Sequence, residues 1–436
     1  MKRRRLVRSA VVVALAAQLL ILLAGVSAAM ARVGIKESAG PFVRGLKVTA
    51  LGGSGKGKFG SSVAVSANGR VALIGAPTNG GDVGAAWVFV RRGSRWVRQG
   101  QRLVGQGEIG DAAFGWSVAL SANGDTALIS GIIDDRRRGA VWVFRRSGSV
   151  WRQQAKLTGR DEVGRGEFGF SVALSADGNT ALIGAPDDRT PKGLAFNLNG
   201  GHGAAWIFTR TGAATWRQVG SKLTARGDSP TGDFGSAVAL SGDGNSALIA
   251  AFNVGACIKS YCQGAVWPFV REGSAWRQQG ARFVGSGEGR NLNFGLSLAI
   301  SANGREAVIG GSGATWFYTH EGSRWVQQGS KRIARGQIGN AAFGLGTAID
   351  GTGSTALIGG VWDNQKRGAA WVYTRTATGW RQEQKLTGGD EVGPPPIYFG
   401  DSVALSANGS IALIGGPWDN HKRGAAWVFK RAQSTA

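Results

Sequence analysis

FGFSVALSADGNTALIGAP, Phe168–Pro186, is the stretch that decides the fold, because the chain repeats it. FGWSVALSANGDTALISG begins at Phe114 and FGDSVALSANGSIALIGGP at Phe399. A catalytic site needs its residues once, whereas a phrase that recurs at a regular spacing describes architecture. Phe-Gly pairs open seven units, at Phe59, Phe114, Phe168, Phe234, Phe294, Phe343 and Phe399. Each unit offers four segments of strand length. The first, FGxSVALS, alternates apolar residues as at Val172 and Leu174, and a pair such as Asp177-Gly178 or Asn123-Gly124 turns it into the second, ALIG. Asn-Gly and Asp-Gly supply the positive φ angles of a tight hairpin. The third segment is GAAWVF (Gly84–Phe89) and the fourth WRQQAKL (Trp151–Leu157). The pattern predicts an all-β chain: a seven-bladed β-propeller of four-stranded antiparallel blades, with no long helix in the repeat region.

Seven of the 16 tryptophans fall in the third strand (Trp87, Trp142, Trp206, Trp267, Trp316, Trp371, Trp427) and six open the fourth (Trp96, Trp151, Trp216, Trp276, Trp325, Trp380). Large rings at equivalent positions fill the space between blades far from the axis. The chain ends after a seventh third strand, so one fourth strand is owed. Leu46–Leu51, ahead of the first Phe-Gly, has the wording of the other fourth strands. The N-terminal segment is therefore expected to pair beside residues 424–430 and close the ring, which removes two exposed sheet edges.

The Phe-Gly openings, with Gly75-Ala76-Pro77 and Gly184-Ala185-Pro186, resemble FG-GAP repeats, the blade repeats of the integrin α-subunit propeller and of many secreted bacterial proteins. The resemblance implies the propeller and says less about function. Propellers of this family often bind Ca²⁺ through a D-x-D-x-D-G run between the first two strands. Here those positions read Ser-Ala-Asn-Gly, Ser-Ala-Asp-Gly or Ser-Gly-Asp-Gly. A single carboxylate cannot supply the six or more oxygens that Ca²⁺ takes, so no calcium, other metal or cofactor is expected.

Residues 1–31 stand apart from the repeats. Lys2, Arg3, Arg4, Arg5 and Arg8 precede an apolar run from Ala10 to Val26 and a small-residue stretch to Ala31. This reads as a secretory signal cleaved near Ala29 or Ala31, with a retained anchor as the alternative. The propeller then fills residues 42–436 as one domain. The formal charge is +24, and the signal carries five of those positives, which leaves 24 − 5 = +19. Such a balance favours anionic partners, among them cell-wall polymers and acidic polysaccharides. Export argues against nucleic acid, and the chain reads as a monomer.

Candidate chemistry is sparse. Gly55-x-Gly57-x-x-Gly60 and Gly164-x-Gly166-x-x-Gly169 lead into strands, so no helix follows to hold a pyrophosphate. The channel-facing position after Phe-Gly holds Ser61, Trp116, Phe170, Ser236, Leu296, Leu345 and Asp401, and one carboxylate among seven is no catalytic pair. The reading is a non-enzymatic binding or adhesion propeller, secreted or at the cell surface, for a protein or glycan. The alternative is a glycan-active hydrolase or lyase using Asp401. Asp134-Asp135, Asp187-Asp188, Asp363-Asn364 and Asp419-Asn420 recur between the second and third strands. They form either a carboxylate ring for a cation or sugar, or turn-initiating residues with local ion pairs. Blade 3 carries an insertion, 187–203, and blade 4 carries Cys257 and Cys262, expected to form a local disulfide. Arg226-Gly227-Asp228-Ser229-Pro230 resembles an integrin-recognised peptide, but in a chain this rich in Gly and Arg it assigns no integrin ligation. The ligand surface is placed on these blade 3 and 4 loops: Asp187, Asp188, His202, Arg226, Gly227 and Asp228.

Overall fold

The structure is a computed structural model. It describes residues 40–50, 55–189, 202–225, 232–255, 257–258, 261–287 and 293–432. Among these, seven four-stranded antiparallel sheets follow one another around an axis, each in simple up-and-down order. Blade 2 runs Val118–Leu120, Thr126–Gly131, Ala140–Ser147 and Val150–Leu157. Blade 7 has Val403–Leu405, Ile411–Gly416 and Ala425–Arg431, with Phe42–Val48 as its outermost strand. The expected closure is therefore present. Phe42 pairs with Arg431 and Val48 with Ala426, and the strand starts earlier than its sequence echo, with a register shift between Arg44 and Lys47. Phe42 packs into the core between blades 6 and 7, and Val48 into the one between blades 7 and 1.

The repeated phrase now has a physical meaning, residue by residue. Each Phe of Phe-Gly meets the third-strand Trp of its own blade edge-to-face, with centroids 5.1–5.6 Å apart in all seven blades. Such pairs add about 0.5–1.5 kcal/mol each beyond burial. The glycine after it turns its carbonyl onto a second-strand glycine of the preceding blade: a Cβ on Gly359 would stand 1.9 Å from the Gly400 carbonyl oxygen. The serine two places after that glycine clips the blades together. Ser62, Ser171, Ser297 and Ser402 donate to the carbonyls of Gly115, Gly235, Gly344 and Gly60, the last bridging blade 7 to blade 1.

The hairpins between first and second strands define the lower face. Ser66 Oγ accepts from the Arg70 and Val71 N–H groups, and Asn68 Oδ1 from Arg70. Asp177 in blade 3 does the same work, accepting from Ser175 and Asn179, and these hydrogen bonds hold its carboxyl below the usual range despite partial burial. The neighbouring small residues link hairpin to hairpin. Ala67 donates to Ala122, Ala122 to Ala176, Ala176 to Gly242, Gly242 to Ala302, Ala302 to Gly351, and Gly351 to Ala407, at 2.8–3.1 Å. This run of bonds passes from blade 1 to blade 7 through positions that are all Ala or Gly. The upper face carries the loops between second and third strands and the connections into each next blade. Backbone bonds such as Lys58 N–H to Lys422 and Tyr398 N–H to Lys366 tie the two sets together.

Candidate functional site

The recurring aspartates of the upper face are spent inside the fold. Asp134, Asp188, Asp363 and Asp419 are each 0–1% exposed. Each binds the lysine of the fourth-strand KL pair, or its N-terminal equivalent: Lys156 at 2.7 Å, Lys222 at 2.5 Å, Lys385 at 2.6 Å and Lys47 at 2.8 Å. The other carboxylate oxygen accepts a backbone N–H from Ile109, Val163, Ile338 or Val392. Each lysine also lies over its third-strand Trp, 5.0–5.7 Å from the ring centroid. The two alternatives left open by the sequence thus resolve in favour of local ion pairs, and Asp188 is not on the ligand surface where the sequence placed it. The pattern also shifts by one: Asp188, not Asp187, is the equivalent of Asp134. In blade 1 the same position is Asn79, which accepts from Arg102 at 3.0 Å.

Behind each buried residue in blades 1, 2, 6 and 7, the chain makes a left-handed turn. Asp135-Arg136-Arg137, Asn364-Gln365-Lys366 and Asn420-His421-Lys422 all have φ between 46° and 73°. Blade 1 fills the same place with Gly80-Gly81-Asp82. Left-handed conformation costs an L-residue roughly 1–2 kcal/mol, so three turns hold strained backbone on one face. The short buried Asp, anchored by its lysine, keeps the turn closed. These turns point basic residues outward: Arg136, Lys366 and His421 are exposed.

The upper face presents aliphatic, aromatic and basic side chains to solvent, Ile109, Val163, Ile338 and Val392 among them. Trp116 at the axial mouth is 38% exposed and lies 5.7 Å from Phe170. Trp362, one place before buried Asp363, is 40% exposed. Trp418 is half-buried, 5.0 Å from Tyr398, with Lys422 Nζ 4.2 Å from its ring centroid. Thirteen of the 16 tryptophans occupy the two packing positions, and the remaining three are Trp116, Trp362 and Trp418. The signal was available as Trp-Asp-Asn at Trp362–Asn364 and Trp418–Asn420, and the sequence reading took only the Asp and Asn from it. Asp401 is half-buried in the channel. Desolvation pushes its carboxyl up to about 6, against the pull of Lys58.

The blade 3 and 4 surface is only partly described. Asp187 is half-buried, its carboxyl raised by burial and lowered in part by Arg137. Arg137 also binds buried Glu167. Asp233, buried ahead of Phe234, has no hydrogen-bond partner on either oxygen among the described residues; burial first, then Asp187, pushes it up to about 8. His202 is exposed. Arg226, Gly227 and Asp228 lie outside the described residues, as does most of the insertion. Cys257 stands opposite Cys262 in a two-stranded hairpin, Cys257–Ile258 with Tyr261–Cys262. Among the described residues no three His, Cys, Asp or Glu side chains converge as a metal site, and no helix is long and apolar enough to cross a membrane.

The FG-GAP repeat family matches residues 151–208 and 380–429. Each match runs from the fourth strand of one blade to the third strand of the next, so the sequence repeat is one strand out of phase with the blade. No curated protein matches the chain. With two matching segments and seven blades that share their Phe-Gly grammar, the chain is an FG-GAP repeat protein folded as a seven-bladed β-propeller.

Proposed function

We propose that the protein is an extracellular binding propeller that holds a glycan or protein ligand on its upper face. The observation that carries the reading is the placement of the three tryptophans that stand outside the two repeated packing positions. All of them stand on the face where the strained turns also lie, and none is on the hydrogen-bonded lower face. Exposed large aromatics concentrated on one surface mark interaction sites, and strained backbone collects where function needs it. Repeat proteins place their variable loops on the binding face, which is consistent with the blade 3 insertion beginning at Asp187 on this side. Export rests on the basic and apolar segment 1–31, outside the described residues, and on the habit of the repeat family. In that setting a Cys257–Cys262 disulfide is proposed as well, checked by intact mass before and after reduction.

The test is retention on immobilised extracellular polysaccharides and matrix proteins. Trp116→Ala and Trp362→Ala should lose retention while keeping the wild-type melting temperature. Retention unchanged in both, with loss only on replacing the exposed arginines that rim the ring on its outermost strands, such as Arg95 in Arg95–Arg98 and Arg152 in Val150–Leu157, refutes an upper-face site.

A further inference from the structure

We infer that the upper face across blades 6, 7 and 1 is a binding site for an anionic polysaccharide. This rests on the upper-face reading and moves its centre away from blades 3 and 4. Three aromatic residues and three lysines are brought together there by backbone bonds within these loops and between neighbouring blades. Lys366 donates its N–H to Trp362, Tyr398 to Lys366, Trp418 to Ile397, and Lys58 to Lys422. One patch therefore holds Trp362, Tyr398 and Trp418 with Lys366, Lys422 and Lys58.

The charge balance of the patch selects the ligand. The aspartates of these loops are paired in place: Asp363 with Lys385 and Asp419 with Lys47, both almost wholly buried, and exposed Asp390 with Arg44 at 3.5 Å. Asp401 is set down in the channel beside Lys58. Glu391 turns back over Gly388. None of Lys366, Lys422 and Lys58 has an ion-pair partner among the described residues, and Lys422 is held over Trp418. Arg423, next to Lys422, is exposed. Lys366 and Arg423 therefore face solvent, while Lys422 and Lys58 are half-buried and Lys422 lies against the Trp418 ring. Sugar rings lay their C–H faces on aromatic side chains, and carboxylate, sulfate or phosphate groups on those sugars meet ammonium groups. A protein ligand would need a closely complementary apolar core, and the lysine side chains between the aromatics break one up. The turns over residues 363–366 and 419–422 give the two tryptophan-bearing loops the same backbone geometry, so neighbouring blades offer like groups to the repeating units of a polymer.

The experiment uses the exported chain and polygalacturonate, with fully methyl-esterified polygalacturonate as the same backbone without charge. Wild type should bind the charged polymer at least tenfold more tightly than the ester, with affinity falling as salt screens the contact. Trp362→Ala, Trp418→Ala and the pair Lys366→Gln/Lys422→Gln should each weaken binding about tenfold, with melting temperature unchanged for the exposed Trp362 and Lys366 positions. Equal binding of charged and esterified polymer, or no binding by wild type, overturns the inference. If these variants bind as wild type does while Trp116→Ala fails, this site falls and the upper-face reading stands. If only rim-arginine variants fail, both fall.

Discussion

The buried aspartate of the upper face gives the sharpest test of how the fold is held. In blade 6, Asp363 Oδ2 lies 2.6 Å from Lys385 Nζ, and Oδ1 accepts from Ile338 N–H at 2.6 Å. The Asp363 side chain is 1% exposed and that of Lys385 23% exposed. Lys385→Met keeps the stem against Trp371 and removes the charge, leaving a carboxylate in the interior with one backbone donor. Breaking a buried pair from one side costs about 3–5 kcal/mol, and the partial exposure of Lys385 lets water repay some of it. The expected loss is therefore about 3 kcal/mol in unfolding free energy by denaturant titration. Arg102→Met in blade 1 removes the equivalent cation, but its partner Asn79 is neutral, so the loss there is about 1 kcal/mol. Adding Asp363→Asn to Lys385→Met reproduces the blade 1 site as it stands in Arg102→Met and should recover about 2 kcal/mol, because the amide carries no charge to strand. Equal losses at Lys385 and Arg102, or a double variant no better than Lys385→Met alone, would refute the argument that an orphaned charge sets the cost.

Three further expectations follow from other parts of the ring. Gly359→Ala puts a Cβ 1.9 Å from the Gly400 carbonyl and should cost about 1–3 kcal/mol as overpacking between blades 6 and 7; blades 2 and 4 carry Ser130 and Ala250 at the same place, and glycine substitutions there should be far milder. Gln365→Gly relieves a residue at φ 59° and should stabilise by about 0.5–1 kcal/mol after the added freedom of the unfolded glycine, as blade 1 already does with Gly81; a destabilised variant contradicts the strain. Glu162, whose carboxyl burial pushes up to about 7 against the opposing pull of Gly166 N–H and Arg138, binds a proton in the folded state that the unfolded chain releases nearer 4.5. Its contribution therefore erodes as pH rises from about 4.5 to 7, by roughly 2–3 kcal/mol. Glu162→Gln should gain on wild type by that amount between pH 4.5 and 8, and a pH-independent difference would show the carboxyl to be ordinary.

Much of this architecture is local, and the chain states it openly. The turn pairs Asn123-Gly124 and Asp177-Gly178, the alternating strands and the regular return of Phe-Gly are properties of short segments, so they are readable one unit at a time. Ring closure was also legible, because one missing fourth strand and one surplus N-terminal segment have a single arrangement that leaves no edge. The fate of the charges was not. Asp363 and Lys385 are distant in the chain, and nothing in the Asp-Asn pair says which oxygen will be buried, so a carboxylate ring and a set of ion pairs looked alike on paper. The one-residue shift at Asp187-Asp188 has the same origin: only the backbone N–H of Val163 and the ammonium of Lys222 single out the second aspartate. Nothing in their own segments separates Trp362 and Trp418 from the packing tryptophans; only the ring leaves Trp362 exposed and Trp418 half-buried beside Tyr398 and Lys422. Sequence periodicity determines which residues repeat. Burial, which depends on what the rest of the chain brings alongside, decides which repeats hold the molecule together and which are left to meet a ligand.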